Sequence, residues 1–348
     1  MINETNKDTQ TTAIDLERAI ALGFSKYDFM QISRHGVSID NIEAQLLTFK
    51  NGIQKVMLAK PAVINDGIYP LNSSDTKAYA QFFDSRKNSL TLKKFVPASG
   101  AATRMFKFLS EFMANYNPEN ESINAYINKK KSGSLKVFLI GMGKFPFYEK
   151  VRAELKQNPN YDYWIRDQRN YNFIKLMLSA GPFDFANKPK AILPFHQYDD
   201  FIATPIYEHL KESVAYASSK NESHVHFTIS QEHLNGFLDA IKDVKENIEK
   251  ESAVKINVDF SYQHKETDTI AVDMDNKPFR TNDGTLLFRP GGHGALIENL
   301  NELEADIVFI KNIDNVSHNN INIIALYKKA LAGILITTVF LRKKQKKY

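Results

Sequence analysis

The period with which apolar residues recur changes along the chain and divides it into sections. Residues 13–60 predict helices, because the segment 15–20 is amphipathic and the apolar residues of 42–49 recur at helical spacing. Turn-forming residues around 65–67 and 72–74 end this section. A strand at 94–97 and a helix at 105–116 follow, and the helix stops before Pro118.

The rest of the chain predicts an insertion followed by alternating strands and helices. Residues 118–188 predict a polar helical insertion, interrupted at 132–133, 158–160 and 181–182. Predicted helices at 205–218 and up to about 250 alternate with predicted strands at 191–195, 224–230, 254–262, 268–272, 285–288 and 306–311. This order predicts an α/β fold with a mostly parallel sheet flanked by helices.

The same pattern predicts three regions. The first is an N-terminal helical section, residues 1–90, packed on the flank of the core. The second is the α/β domain, residues 91–331, which contains the helical insertion. The third is an atypical basic tail, residues 332–348.

Composition excludes several classes of protein. The chain has 348 residues, of which 43% are hydrophobic and 24% charged, as in soluble globular proteins. Cysteine is absent, which excludes a disulfide scaffold, thiolate zinc sites and a cysteine nucleophile, and suits a reducing compartment. Much of the net charge of +5 lies in residues 342–348, so it does not indicate a nucleic-acid partner.

Nothing in the pattern predicts a targeting or membrane segment. Residues 1–12 are polar, unlike a signal or transit peptide. The apolar stretch 323–341 is interrupted by Tyr327, Lys328 and Lys329, which leaves too few residues to cross a bilayer. A buried helix or a terminal strand explains it better, and we expect a cytoplasmic protein without a membrane partner.

The turn after the strand at 94–97 contains the strongest candidate for chemistry. Small side chains there would let backbone N–H groups approach an anion at the start of a helix. A threonine able to cap that helix and an arginine able to pair with a phosphate follow. An ordinary tight turn between strand and helix explains the segment equally well. Its residues are Ala98, Ser99, Gly100, Ala101, Ala102, Thr103 and Arg104.

A glycine-rich segment forms a second candidate. Gly291, Gly292 and Gly294 surround His293 just before a helical pattern, which suggests a backbone that approaches a ligand closely. His293 could hydrogen-bond a base, a sugar or a phosphate. The alternative is a surface turn with a solvated histidine.

Two further candidates lie at the ends of predicted strands. Asn312 and Asp314 end an apolar strand, where open α/β sheets bind ligands and where a carboxylate suits Mg²⁺. Simple termination of the strand by polar residues is nearly as good an explanation. Lys190 stands at the mouth of another predicted strand and could bind phosphate as a point charge.

One histidine pair carries less weight. His224 and His226 alternate on a predicted strand and so share one face. A metal pair would need a third ligand, and none is apparent, so a structural role is favoured.

Taken in order, four of these segments resemble the GT-A-like nucleotidyltransferases, in particular the UDP-sugar pyrophosphorylases. Residues 98–105 resemble the phosphate loop of that superfamily, and 189–194 its Pro-Lys-x-x-x-Pro segment. Residues 290–294 resemble its Pro-x-Gly-His/Asn-Gly segment, and 312–315 its Asn-x-Asp-Asn strand end. With the stretch 267–273, the chain resembles most a bacterial family catalogued only as a domain of unknown function within that superfamily.

The resemblance implies a Rossmann-like, GT-A-like sheet and nucleotidyl transfer from a nucleoside triphosphate, UTP being favoured, to a sugar 1-phosphate. It implies catalytic roles for Arg104 and Lys190, and a Mg²⁺ cofactor held by Asp314. Phosphates would bind the turn 99–103, and the nucleotide or sugar would bind 291–294 and Asn312. A non-catalytic nucleotide- or sugar-binding protein of the same fold is the alternative.

Two departures from the superfamily bear on activity. Ser99 and Ala102 stand where the superfamily has loop glycines, which would hold phosphates less closely. After Leu331 the sequence becomes atypical and lysine-rich, which resembles a truncated product that has lost activity.

Overall fold

The computed structural model describes residues 13–100 and 102–345, which form two compact units. The first unit contains the described residues up to Leu71 together with Gln263–Leu303. The second contains Asn72–Tyr262 and the described residues from Glu304 onward. The first unit thus combines 263–303 with the N-terminal helices, and residues 72–90 belong to the unit that contains the main sheet.

The described helices follow one another in chain order, short 3₁₀ turns aside. They are α1 (13–21), α2 (Lys26–His35), α3 (Ile39–Asn51), α4 (Ser73–Arg86), α5 (Lys107–Asn115), α6 (Ile123–Lys130), α7 (Gly133–Gly141), α8 (Tyr148–Leu155), α9 (Arg166–Leu178), α10 (Pro205–Tyr216), α11 (Leu234–Ser252), α12 (Ile297–Asn301) and α13 (Ile321–Gln345).

The described strands are mostly short. They are β1 (Val63–Ile64), β2 (Gly67–Ile68), β3 (Leu92–Pro97), β4 (His196–Gln197), β5 (Ile202–Ala203), β6 (Ser218–Ser219), β7 (Glu222–Ile229), β8 (Lys255–Tyr262), β9 (Thr269–Ile270), β10 (Phe288–Arg289) and β11 (Ile307–Ile310).

The main sheet of the second unit is mixed. Strand β3 lies between β11 and β7, β8 flanks β7 on its other side, and each of these neighbours runs parallel. The short β6 pairs antiparallel with the first residues of β7. The carboxyl ends of β11, β3, β7 and β8 therefore lie along the same edge of the sheet. The loops that follow these strands can form a binding site there.

Helices α4, α10, α11 and α13 cover one face of this sheet. Alternate residues of the strands supply its apolar side, including Val96, Phe227 and Phe309, as the two-residue period of a strand requires. Tyr216 of α10 and Phe237 of α11 are fully buried against them. Burial of this apolar surface is the main source of the unit's stability.

The predicted helical insertion is present and has its own core. Helices α5 to α9 pack around buried aromatic and aliphatic side chains, of which Phe112, Phe147 and Phe173 are examples. Rings in this cluster meet edge-on or offset, as Phe112 does with Tyr126 at 5.3 Å between centroids.

The first unit joins the N-terminal helices to the hairpin of β9 and β10. The side-chain amide of Gln31 binds both backbone groups of Leu286, and Gln45 accepts from the backbone of Ile270. Strands β9 and β10 pair with each other and not with the main sheet. The expectation that 268–272 and 285–288 extend the α/β sheet is therefore wrong.

A second expectation fails at residues 191–195. The structure has a 3₁₀ turn, Lys190–Ile192, and the short strand β4 begins only at His196. Pro189 and Pro194 bracket this segment and lack the N–H groups that a strand ladder needs, so a turn forms instead.

The C-terminal segment is one helix without a break at Leu331. Its close contact with α4 is made at Gly333, where an added Cβ would overlap the carbonyl oxygen of Tyr79. By length and composition the stretch Ile321–Val339 would suffice to cross a membrane, contrary to the expectation, and 28% of the most apolar window is buried. The core helix of a soluble protein passes the same test, so the cytoplasmic location stays a prediction.

Candidate functional site

Loops from three separate parts of the chain meet beyond the carboxyl ends of β3 and β11. The ammonium of Lys190 donates to a carboxylate oxygen of Asp314 at 2.7 Å, and both side chains are partly exposed. The backbone N–H of Lys190 lies 3.4 Å from the carbonyl oxygen of Gly100 in the turn after β3. The structure thus brings together three of the four segments on which the resemblance depends.

The turn after β3 is shaped by hydrogen bonds of its own backbone. The hydroxyl of Ser230, which follows β7, donates to the carbonyl oxygen of Ser99 at 3.3 Å. The backbone N–H of Ala102 donates to the carbonyl oxygen of Lys188 at 3.2 Å. That N–H already has an acceptor within the protein, and the phosphate-binding role of the turn stays a prediction. Ala102 is buried and Ala101 lies outside the described residues.

The expected cap is also corrected. Helix α5 begins at Lys107 after a 3₁₀ turn, Ala102–Arg104, and its first turn has no side-chain cap. Thr103 is therefore too far upstream to cap it. Thr103, Arg104 and Gly100 are exposed, and no carboxylate among the described residues lies within ion-pair distance of Arg104. An exposed guanidinium beside Gly100 is available to an anion from solvent.

Behind this edge lies a buried group of charges that sequence reasoning missed. Lys94 of β3 donates to Glu212 of α10 at 3.2 Å, and neither side chain is exposed. Lys311, which directly follows β11, donates to both oxygens of the same carboxylate at 2.6 and 2.8 Å. Burial lowers the pKa of Lys94 to about 7, while the charge of Glu212 opposes that change. One carboxylate thus ties together the two strands that carry the candidate loops.

A buried histidine links this cluster to the loop of Asp314. Nε2 of His209 donates to the carbonyl oxygen of Ile313 at 3.2 Å, which requires the tautomer protonated on Nε2. Its Nδ1 is buried without a hydrogen-bond partner. Burial and the nearby Lys94 charge hold the pKa of His209 well below its usual value, so the ring is neutral. The buried, uncharged ring of His209 therefore holds the loop that ends in Asp314 through this hydrogen bond.

The glycine-rich segment belongs to the first unit. A Cβ at Gly291 would lie 2.7 Å from the Cβ of Ala295 and 2.8 Å from the carbonyl oxygen of Thr267, so local packing alone requires glycine there. Gly292 and Gly294 are exposed and have open space around their Cα atoms. The side chain of His293 lies outside what the structure describes.

The possible metal ligands at this end of the sheet are oxygen atoms. Asp314 offers one carboxylate and half-buried Asn312 one amide oxygen close by in sequence. Within the described part of the chain, no three histidine or acidic side chains cluster as metal ligands. Such a set suits a Mg²⁺ that keeps most of its waters and bridges substrate phosphates, and not an ion held by protein alone.

The histidine pair on β7 has structural partners. Nε2 of His226 lies 2.8 Å from the hydroxyl of Ser261 on β8, and the ring stacks on Phe95 at 5.8 Å. Nε2 of His224 lies 3.5 Å from Glu222. These contacts agree with the structural role favoured from the sequence.

One signal could have found the buried cluster. Lys94 interrupts a short strand whose other alternate residues, Leu92 and Val96, face the core. The two-residue period places Lys94 on that same face, and a lysine there requires a buried acidic partner. Nothing in the sequence indicates that the partner is Glu212, which lies 118 residues away.

The fold and this edge define a mixed α/β protein with a candidate anion site at the carboxyl ends of parallel strands. The chain belongs to the family described as "Domain of unknown function (DUF4301)", whose sequence profile matches residues 25–347. The match includes the segment after Leu331 that the sequence pattern marks as atypical. No curated protein and no solved structure matches the chain.

Proposed function

We propose that the chain binds a nucleoside triphosphate and a sugar 1-phosphate at the Lys190–Asp314 edge and transfers the nucleotidyl group between them. The observation that carries the proposal is the ion pair itself, Lys190 Nζ to Asp314 Oδ2 at 2.7 Å, beside the turn at Gly100. A phosphate-binding cation and a metal-binding carboxylate thereby lie beside a small-residue turn, which supports a GT-A-like, Rossmann-like site.

In this proposal the groups of the edge have separate roles. Lys190 exchanges Asp314 for the α-phosphate, and Arg104 binds the outer phosphates from its exposed position. Asp314, released from the lysine, and Asn312 would hold Mg²⁺, which when bound neutralises phosphate charge. His209 keeps the loop of Asp314 in place through Ile313. Positioning and charge neutralisation are the main contributions that such a transfer needs from a protein.

The transfer itself is a substitution at phosphorus. An oxygen of the sugar 1-phosphate forms a bond to the α-phosphorus, and the bond to the bridging oxygen of pyrophosphate breaks. Pyrophosphate leaves with that electron pair, so atoms and charge balance without a redox partner.

A second candidate is nucleotide or sugar-phosphate binding without turnover. The occupied N–H of Ala102 favours this candidate, because it removes one of the groups that could stabilise a transition state.

The test is a pyrophosphate-release assay with Mg²⁺, UTP and the other common triphosphates, against a panel of sugar 1-phosphates. We expect release that requires both substrates and that Lys190→Ala abolishes. Calorimetry with UTP alone should show that Lys190→Ala and Arg104→Ala each weaken binding by about tenfold or more, as expected for a charge-assisted contact.

Lys250→Ala is the matched control, because Lys250 also forms an ion pair, with Glu246 on α11, and is largely exposed. Lys250→Ala should release pyrophosphate and bind UTP as the parent protein does. Binding without release would support the second candidate. Equal affinity for uridine and UTP in the parent would remove the phosphate site and with it both candidates.

A further inference from the structure

A separate cavity lies in the helical insertion, away from the residues of the proposed transferase site. It opens between α8, α9 and the turn Tyr161–Tyr163, and its volume is about 230 Å³. Buried Met142, Leu155 and Phe173 form its apolar floor, and three arginines line it as well. A concave site with an apolar floor and a few convergent polar groups is typical of small-molecule binding.

Two of the arginines are arranged around Tyr161. The guanidinium of Arg169 lies 5.0 Å from the centre of the Tyr161 ring. A side-chain hydrogen bond with Tyr161 is the main reason that the pKa of Arg152 is raised. The third arginine, Arg166, begins α9 and lines the same cavity. The contact with the Tyr161 ring, together with a hydrogen bond to the carbonyl oxygen of Asp162 at 3.3 Å, holds the guanidinium of Arg169 in place.

The cavity has little negative charge of its own. None of its lining residues is acidic. In the part of the chain that the structure describes, no carboxylate forms an ion pair with Arg166 or Arg169, and Arg152 has only the exposed Glu149 at 3.5 Å. Three cations gathered around one cavity repel each other, and a bound anion would relieve that repulsion.

We propose that this cavity binds a small phosphate monoester, with the phosphate among Arg152, Arg166 and Arg169 and the organic group on the apolar floor. Three guanidinium groups match the three terminal oxygens of a phosphate monoester, which a carboxylate with two oxygens does not. The volume admits a ligand of one ring and its phosphate, smaller than the usual drug-sized ligand.

The chain supplies its own probe for this site. It has a single tryptophan, Trp164, whose ring lies 6.1 Å from that of Tyr161. Titration with phenyl phosphate, at constant ionic strength, should change the fluorescence of Trp164 in a saturable way. Phenol and inorganic phosphate should each bind at least tenfold more weakly, because each supplies only half of the ligand.

Variants assign the binding to the cavity. Arg166→Gln and Arg169→Gln should each raise the dissociation constant by about tenfold or more, with unchanged thermal unfolding. Arg86→Gln is the matched control, because Arg86 is also an exposed arginine over an aromatic ring, that of Phe82 at 5.7 Å. It should leave the titration unchanged.

Three outcomes would overturn the proposal: no saturable change, equal affinity for phenol and phenyl phosphate, or loss of binding in Lys190→Ala but not in Arg166→Gln. The last would assign the signal to the edge of the sheet. Since Lys190 takes no part in the cavity, the proposed transferase function and the phosphate monoester site can fail independently.

Discussion

At the scale of single residues, the most unusual feature is the fully buried carboxylate of Glu212, which pairs with fully buried Lys94 and partly buried Lys311. Its oxygens accept from Lys94, Lys311 and the hydroxyl of Tyr216. A buried ion cluster of this kind contributes little net stability when complete, because desolvation opposes attraction. Removing one partner strongly destabilises the fold, because it leaves the other charge buried without compensation.

We therefore predict that Glu212→Ala lowers the free energy of unfolding by about 3–5 kcal/mol, because two lysines lose their acceptor. Urea denaturation at pH 7 measures it. Glu222→Ala is the control, since Glu222 is a partly exposed acid 3.5 Å from His224, and should cost no more than about 1 kcal/mol. Equal losses of unfolding free energy in the two variants would show that the buried cluster contributes no more to stability than an exposed ion pair.

A second prediction at this scale concerns acid. Asp28 accepts from both terminal nitrogens of Arg280 at 2.7 and 2.8 Å, and the pKa of this carboxyl is lowered to about 2, chiefly by that contact. A carboxyl with a lowered folded-state pKa stabilises the fold above its unfolded pKa of about 3.8, and this contribution is lost as the pH falls toward 2.

Asp28→Asn should therefore be less stable than the parent at pH 6, and the difference should shrink as the pH falls from 4 to 2. Urea midpoints measured across that range test it. A difference in stability between the parent and Asp28→Asn that stays constant down to pH 2 would contradict the proposed pKa of Asp28.

At the scale of elements, the contact of α13 with α4 depends on one glycine. An added Cβ at Gly333 would overlap the backbone of Tyr79, and backbone atoms can move only if the helices separate. Apolar side chains on the same side of α13, Ala325, Ala332 and Ile336, are buried in the core cluster that includes Phe83 of α4. A close approach of two helices at a small residue is what this packing requires.

Gly333→Ala should lower the free energy of unfolding by about 1–3 kcal/mol, although alanine is the better helix former. Gly141→Ala in α7 is the control, because nothing lies within 4 Å of its added Cβ. It should be neutral or stabilising by up to about 1 kcal/mol. The measurement is urea denaturation followed by far-ultraviolet circular dichroism, and a neutral Gly333→Ala would show that the two helices do not approach so closely in solution.

At the scale of the whole molecule, we consider two groups among the exposed apolar side chains of the described residues. One is the segment after α3, where Ile53, Val56, Met57 and Leu58 are each more than 80% exposed. The other is a stripe along α13 at every fourth residue, formed by Ile323, Tyr327, Leu331 and Leu335, each about half exposed. At roughly 100 Å² for an exposed aliphatic side chain, each group forms a patch of a few hundred Å².

We expect the purified protein to bind a hydrophobic dye and to associate as its concentration rises. Dye fluorescence and light scattering across a dilution series measure both. Met57→Gln with Leu58→Gln, or Leu331→Gln with Leu335→Gln, should reduce them, while Met274→Gln, which alters a single 98% exposed methionine, should not. A dye-negative monomer at all concentrations would contradict the prediction.

Much of the secondary structure was predictable from local pattern. The strands near 94–97, 224–230, 254–262 and 306–311 and the helices of the insertion are present, because runs of β-branched and aromatic residues and helical spacing are local signals. The strand predicted at 191–195 was wrong, since two prolines lack the N–H donors that a strand ladder needs.

The candidate site was predictable only as separate segments. Small residues after a strand, a lysine beside prolines and an aspartate at a strand end each indicate phosphate or metal binding. Their meeting, Lys190 with Asp314 across 124 residues, depends on which strands become neighbours. The occupied N–H of Ala102 depends on the same tertiary contact and so could not be anticipated.

The sequence by itself determined most helices, although not α4 and not the choice between helix and strand at the C-terminal stretch. It also determined most strands of the main sheet and the residue types at their carboxyl ends, because periodicity and turn residues act over a few positions. Only the tertiary structure decided that residues 263–303 join the N-terminal helices, that Glu212 neutralises Lys94 and Lys311, and that three arginines surround one cavity. The first two outcomes depend on groups far apart in the chain, and the third depends on how α8 and α9 pack. Their energies arise only when packing removes water from both partners at once.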